Sequence, residues 1–318
     1  MRLYKFNGKT DEQHTQERAK KKASPWKLGG LTSWQLSKRV YSEFWDDEIL
    51  TRSAALAFYF IAALLPMLFF IVTILGFFAQ SQNLQSSLFG YAGRFMPPDA
   101  YTLLQKALKG IASNATGFKL VIGLALALWS GSGGLSSVMD ALNRCYGVKD
   151  QRPYWKQKLV SLGLTIAIAV LTIVALIIVL YGGAIAEFVG THTGLSVVAV
   201  TAWKIVQWPL AIFFVVLAFA LMYFWGPDTD QQWQWITPGS LLGVLLWIGA
   251  SIGFRVYLHY FNSFNKTYGS LGAVIILLYW LYITGVAILV GGEINSEIEN
   301  AAAKRGHPEA KEEGEKVA

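Results

Sequence analysis

Five polar side chains stand where two long apolar runs give out. Asp140, Asn143 and Arg144 close LWSGSGGLSSVMDALNRCYGV (Leu128 to Val148), and Glu293 and Asn295 close YITGVAILVGGEINSEIE (Tyr282 to Glu299). On a helix, positions i, i+3 and i+4 share one face, so Asp140 and Arg144 are expected to form a local pair beside Asn143. Charged groups this close to an apolar run are costly enough to raise a functional reading, although snorkelling to an interface lowers the cost. If the two ends meet, the five form a polar cluster that either binds something or clasps two helices. The residues leave both readings open.

A second group belongs to the opposite ends of the runs. Arg255, followed by Tyr268, Gly269, Ser270 and Gly272 in NSFNKTYGSLGA, makes a small-residue approach to the last run. It suits an outward-facing gate or a stiff turn.

Other chemistry finds little footing. The four histidines, His14, His192, His259 and His307, are scattered and no two lie at ligand spacing, so a metal-assisted hydrolase is not expected. No Ser, His and acid group into a nucleophilic triad. The glycines and serines after Leu128 lack the lysine of a phosphate loop and the strand that precedes one. No catalytic residue, metal or cofactor is expected.

What must position the polar ends is a membrane. With 54% hydrophobic and 15% charged residues and 12 Trp among 318, the chain departs from a soluble composition. Six apolar runs reach about 20 residues, the length a helix needs to cross a bilayer. They cover approximately Ala54 to Ala79, Leu120 to Met139, Leu159 to Tyr181, Ile205 to Trp225, Pro238 to Val256 and Ser270 to Gly292. The fold class is therefore all-α, a polytopic bundle of six transmembrane helices with short amphipathic helices beside it. Pro66, inside the first run, removes a backbone hydrogen bond and is expected to kink it. In the second run, Gly123, Ala127 and Gly131 recur every four residues and Ser130 with Gly134 repeats the spacing one position round. Such small residues form a packing seam.

Most of the 27 Lys and Arg lie before the first run, between Arg144 and Lys158, and in the tail. That asymmetry predicts cytoplasmic termini in the inner membrane. It also accounts for the net charge of +7 through anionic lipid, with no nucleic-acid partner. The first run reads as an uncleaved signal anchor. The single cysteine, Cys145, excludes an internal disulfide. Residues 1 to 32 read as a flexible basic arm, 33 to 298 as the transmembrane domain and 299 to 318 as a charged cytoplasmic tail expected to fray into solvent. Within the domain, 33 to 50 is an amphipathic helix with Leu36, Val40, Tyr41, Phe44 and Trp45 at helical spacing. The loop over 80 to 118 carries a short external helix after Pro97 and Pro98. The bilayer is the expected partner, and a homo-oligomer could supply a ring that one chain lacks.

In this order and spacing, AALAFYFIAALLPMLFFIVTILGFF, LWSGSGGLSSVMDALNRCYGV, GSLLGVLLWIGASIGFRVYLHYF and YGSLGAVIILLYWLYITGVAILVGGEINSEIE resemble the YihY/BrkB family of bacterial inner-membrane proteins. The resemblance runs from about Ser33 to Ile298. It is most specific at Asp140 to Arg144, Tyr268 to Gly272 and Gly292 to Asn295. It implies a six-helix bacterial membrane protein, with virulence and serum resistance linked to one branch and export of lipid or envelope components to another. A ribonuclease BN label has also been attached to the family, and the scattered histidines speak against that chemistry here. The expected function is a transporter or export factor for a lipid-like or amphiphilic envelope substrate. The alternative is a non-transporting scaffold of the envelope.

Overall fold

A computed structural model describes residues 25–78, 117–193, 197–260, 270–307 and 310–316. Among these, all regular structure is helical. A short 3-10 segment, Pro25–Gly30, leads into seven α-helices: α1 Ser33–Asp46, α2 Ile49–Phe78, α3 Gly117–Cys145, α4 Tyr154–Thr193, α5 Val197–Trp225, α6 Trp233–Tyr260 and α7 Ser270–Ala303.

Five of them, within α3 to α7, are long and apolar enough to cross a membrane. The first expected span belongs to α2, whose described apolar stretch, Ile49–Ala63, is shorter than a full crossing. Pro66 falls within the range of α2, but its side chain and the expected kink lie outside the described residues. So do the external helix expected over 80 to 118, apart from its last two residues, and Tyr268 and Gly269. Outward faces of the long helices are apolar and uncovered. Val170, Ile173 and Leu176 on α4 and Ile205, Trp208 and Phe213 on α5 are all exposed, an arrangement that only lipid or another apolar partner can cover.

Small residues set the helix contacts. A Cβ on Gly134 of α3 would lie 3.0 Å from Phe60 on α2, and one on Gly131 would lie 3.3 Å from Thr165 on α4. These two residues of the expected seam therefore face different neighbours. The closest crossing joins α6 to α7, where a Cβ on Gly239 would sit 2.1 Å from the Gly291 carbonyl oxygen. Only glycine permits that approach. Tyr223 of α5 is fully buried against the same crossing, and its hydroxyl donates to the Ile288 carbonyl at 2.8 Å.

α1 begins on a capping box. The Thr32 side chain accepts from the Gln35 N–H while the Gln35 side chain accepts from the Thr32 N–H. Its Leu36 is buried, while Tyr41 and Trp45 are exposed. The apolar stripe of α1 is thus divided between the bundle and the surroundings.

Two expectations fail at the chain ends. The arm was expected to be mobile to residue 32, yet Pro25–Gly30 packs on α7, with Gly29 against the Ile298 carbonyl. The tail was expected to fray after Ile298. Instead α7 runs on to Ala303 with Glu299, Asn300 and Ala302 buried, and 310–316 folds back along the bundle. Lys311 is buried, sits 3.5 Å from Glu299 and donates to the Asp230 carbonyl. Asp230 N–H donates to the Lys316 carbonyl, and Gly314 N–H to that of Tyr146. Two of the tail's charges, Lys311 and Lys316, thus have partners inside the fold.

Candidate functional site at the polar end of the bundle

The ends of α1, α3, α5 and α7 meet with the starts of α2, α4 and α6, and nearly every buried polar side chain described gathers there. Of the five residues expected to cluster, Asn143, Glu293 and Asn295 are buried while Asp140 and Arg144 are exposed. They do not form one cluster. They divide among three arrangements.

Asn295 holds the α6–α7 crossing. Its Oδ1 accepts from the Gly239 N–H at 2.7 Å, where the glycine needed for close approach leaves the backbone reachable.

Asn143 organises a charge network. Its Oδ1 accepts from the Asp228 N–H at 2.6 Å and its Nδ2 donates to Asp150 at 3.2 Å. Arg152, nearly buried, donates from Nη2 to Asp150 and to the Gly226 carbonyl, both at 2.8 Å, and lies 3.5 Å from Asp228. Lys316 closes the set on Asp228. Burial alone would raise both carboxyls, but the Arg152 hydrogen bonds at Asp150 and the Lys316 hydrogen bond at Asp228 outweigh it and hold each below the usual range.

Arg144 does not pair with Asp140. Its Nε lies 2.9 Å from Asp47, in the α1–α2 corner, while Asp140 accepts from Gln157 Nε2 at 2.9 Å. A long-range partner wins because Asp47 is buried and needs a cation, whereas Asp140 finds a neutral donor close by on α4. Asp47, Cys145 and Glu293 then converge, with one ligand-capable atom from each within 4.8 Å of the others. All three are buried, and Glu293 Oε1 has no hydrogen-bond partner. Arg52 donates from Nε to the Asp47 carbonyl oxygen at 2.9 Å rather than to the carboxylate. Burial raises the Asp47 carboxyl above its ordinary range, more than a hydrogen bond with Glu293 and the charges of Arg144 and Arg52 lower it.

Sequence reasoning missed Asp47, Asp150, Arg152, Asp228 and Lys316. The run Asp46-Asp47-Glu48 directly before a membrane-length helix was the available signal, since acids so placed seek a partner.

A cavity of about 810 Å³ adjoins the charge network. Arg152, Lys156, Asp228 and Lys316 line one part, and Val160, Leu164, Ala167, Phe224 and Trp225 another. A second cavity of about 690 Å³, between α1 and α6–α7, is walled by Leu36, Val40, Phe44, Leu242 and Ile294. The hydroxyls of Ser132 and Ser136 are bonded to carbonyls of their own helix. At the other end, Arg255 is exposed beside Ser251 and Trp280, Ser270 begins α7 and Gly272 is buried.

Comparison with known proteins agrees with this architecture. The family model described as Virulence factor BrkB matches residues 40–315. A Bacillus subtilis (strain 168) protein bearing the name ribonuclease-like protein YfkH is 29% identical over 81% of this chain and 93% of its own length. The UPF0761 membrane protein Smlt0865 of Stenotrophomonas maltophilia (strain K279a) is 27% identical over 81% of this chain and 59% of its own. A UPF0761 membrane protein of Xanthomonas oryzae pv. oryzae (strain PXO99A) is 27% identical over 85% and 61%. The chain thus spans about three fifths of the length of these UPF0761 relatives. No solved structure matches. A family match across almost the whole helical bundle, from α1 through the docked tail, makes this chain a member of the Virulence factor BrkB family of membrane proteins.

Proposed function

We propose that the protein is a six-span inner-membrane transporter or export factor for a lipid-like or amphiphilic envelope substrate, with both termini in the cytoplasm. The observation that carries this reading is the 810 Å³ cavity, whose lining joins a charged edge, Arg152, Lys156 and Lys316 with Asp228 and Asp230, to an apolar wall on α4 and α5, and of its three cations Arg152 and Lys316 are paired with acids. An anionic headgroup suits the first and an acyl chain the second, and the volume is that of a small-molecule site. The basic residues expected to face the cytoplasm are the ones at this edge, which supports loading from that side. α2 supplies the sixth span in this reading.

Reconstitution tests it. Proteoliposomes containing the full chain and a fluorescent anionic phospholipid are expected to move the lipid between leaflets faster than empty vesicles. Equal rates would leave the scaffold reading, which the glycine seams and self-bonded serines favour. A ribonuclease reading rests only on the name of the Bacillus relative. In this chain His192 and His259 end α4 and α6, opposite the buried acids, and His307 follows α7.

A further inference from the structure

Asp47, Cys145 and Glu293 reach one point from three separate segments: the α1–α2 corner, the last residue of α3 and the late turns of α7. A buried acid beside another acid needs compensation, and the described partners supply only part of it. Arg144 takes one Asp47 oxygen, the Asp47 and Glu293 carboxyls share a hydrogen bond, Arg52 takes a backbone carbonyl, and the Cys145 thiol faces the Leu289 carbonyl at 3.9 Å. Glu293, 1% exposed, keeps Oε1 without a partner. That orphaned oxygen belongs to the group whose ligand atoms already lie within 4.8 Å of one another. Leaving a buried carboxyl oxygen unsatisfied costs free energy that a bound ligand of opposite charge would relieve.

We propose that Asp47, Cys145 and Glu293 form a binding site for a divalent transition-metal ion of the zinc type, which ties α3 and α7 to the α1–α2 corner. The donor set decides the class. A thiolate with two carboxylates suits a borderline ion such as Zn²⁺ or Co²⁺ and disfavours Mg²⁺ and Ca²⁺, which take oxygen ligands. Charge agrees: three ionised ligands outnumber the two nearby guanidiniums of Arg144 and Arg52 and leave the site net negative, as a cation requires. Metal–sulfur and metal–oxygen bonds of about 2.3 and 2.0 Å would draw the three atoms closer, a shift of side chains rather than of helices. A cavity of about 400 Å³ shares Arg52 and Arg144 with the site and places solvent next to the guanidiniums that an ion would pass. On binding, the thiol proton and the proton held between the Asp47 and Glu293 carboxyls leave to solvent, and the thiol's contact with the Leu289 carbonyl is given up. The inference does not depend on transport.

The test uses the chain in nanodiscs, purified without a polyhistidine tag, stripped with chelator and titrated with Co²⁺. We expect one equivalent to bind with a near-ultraviolet sulfur-to-cobalt charge-transfer band that Zn²⁺ abolishes by displacement. Because the chain holds a single cysteine, such a band comes from Cys145 without any variant being needed. Glu293→Gln and Asp47→Asn should each weaken Co²⁺ binding at least tenfold, and Cys145→Ser should remove the band. Absence of the band in the parent protein, or affinity unchanged in Glu293→Gln, would overturn the proposal. Zn²⁺ should also slow alkylation of Cys145 in the parent, and unaltered alkylation would count equally against it.

Discussion

Two acid clusters sit at the same end of one bundle and are held in opposite ways. In the first, Asp150 and Asp228 are surrounded by Arg152, Lys316 and the Asn143 amide, and both carboxyls are held below their usual range. In the second, Asp47 lies against Glu293 and Cys145 with Arg144 as its paired cation, and its carboxyl is pushed above its usual range by burial. Burial and the number of counterions explain the difference: Asp47 is buried with Arg144 at 2.9 Å, whereas the half-buried Asp150 and Asp228 share Arg152 and Lys316. A fully paired cluster serves as a clasp. An underpaired one is retained at a cost in stability, and it is there that a ligand gains most by binding.

The comparison is broken most severely by removing the cation of the paired cluster. Arg152→Met is expected to lower stability by about 3 kcal/mol, since it strands Asp150 and two carbonyls and leaves Asp228 to Lys316 alone, and the shift in thermal unfolding of the detergent-solubilised protein checks it. The matching change in the underpaired cluster should do the reverse. In chelator-treated protein, Glu293→Gln is expected to leave stability unchanged or raise it by up to about 1 kcal/mol, because it removes an unsatisfied acid while keeping its shape. Added Zn²⁺ should then raise the melting temperature of the parent and not of the variant.

Acidity separates the clusters without mutation. Asp47 binds its proton more tightly folded than unfolded, so metal-free protein should gain stability as the pH falls through its raised value toward about 4. Asp150 and Asp228 bind theirs less tightly folded. Their contribution is complete above about pH 4 and is lost as pH falls through their lowered values. A stability maximum on the acid side of neutrality is expected, and Asp47→Asn should flatten its upper limb. A change away from both clusters sets the scale. Thr32→Ala removes one half of the capping box at α1, far from either cluster in chemistry, and should cost about 1 kcal/mol.

How much of this was legible in the sequence depends on range. The long helices were, because apolar runs of bilayer length have few other solutions, and Asn143, Arg144, Glu293 and Asn295 were singled out by their places at helix ends. Their partners were not. Arg144 reaches Asp47 rather than Asp140, one turn away, and Asn295 reaches the backbone of Gly239. Hydropathy also ended the last run near Gly292, since it counts Glu293, Glu297 and Glu299 as exposed. All three are buried, because Asp47, Arg39 and Lys311 come from segments that local pattern does not connect. The docked tail eluded the sequence for the same reason.

The claim that the basic and apolar cavity between α4 and α5 carries an amphiphile can be tested at Gly163. This residue lines the cavity, and a Cβ placed on it meets nothing within 4 Å. Gly163→Trp, whose Cβ meets no neighbour, should therefore place an indole in or over the space. The decisive measurement is leaflet-to-leaflet movement of a fluorescent anionic phospholipid in proteoliposomes holding equal amounts of folded parent or variant. The account predicts movement above empty vesicles for the parent and at least a tenfold reduction for Gly163→Trp. Equal rates for parent and variant, or a parent no faster than empty vesicles, would contradict it.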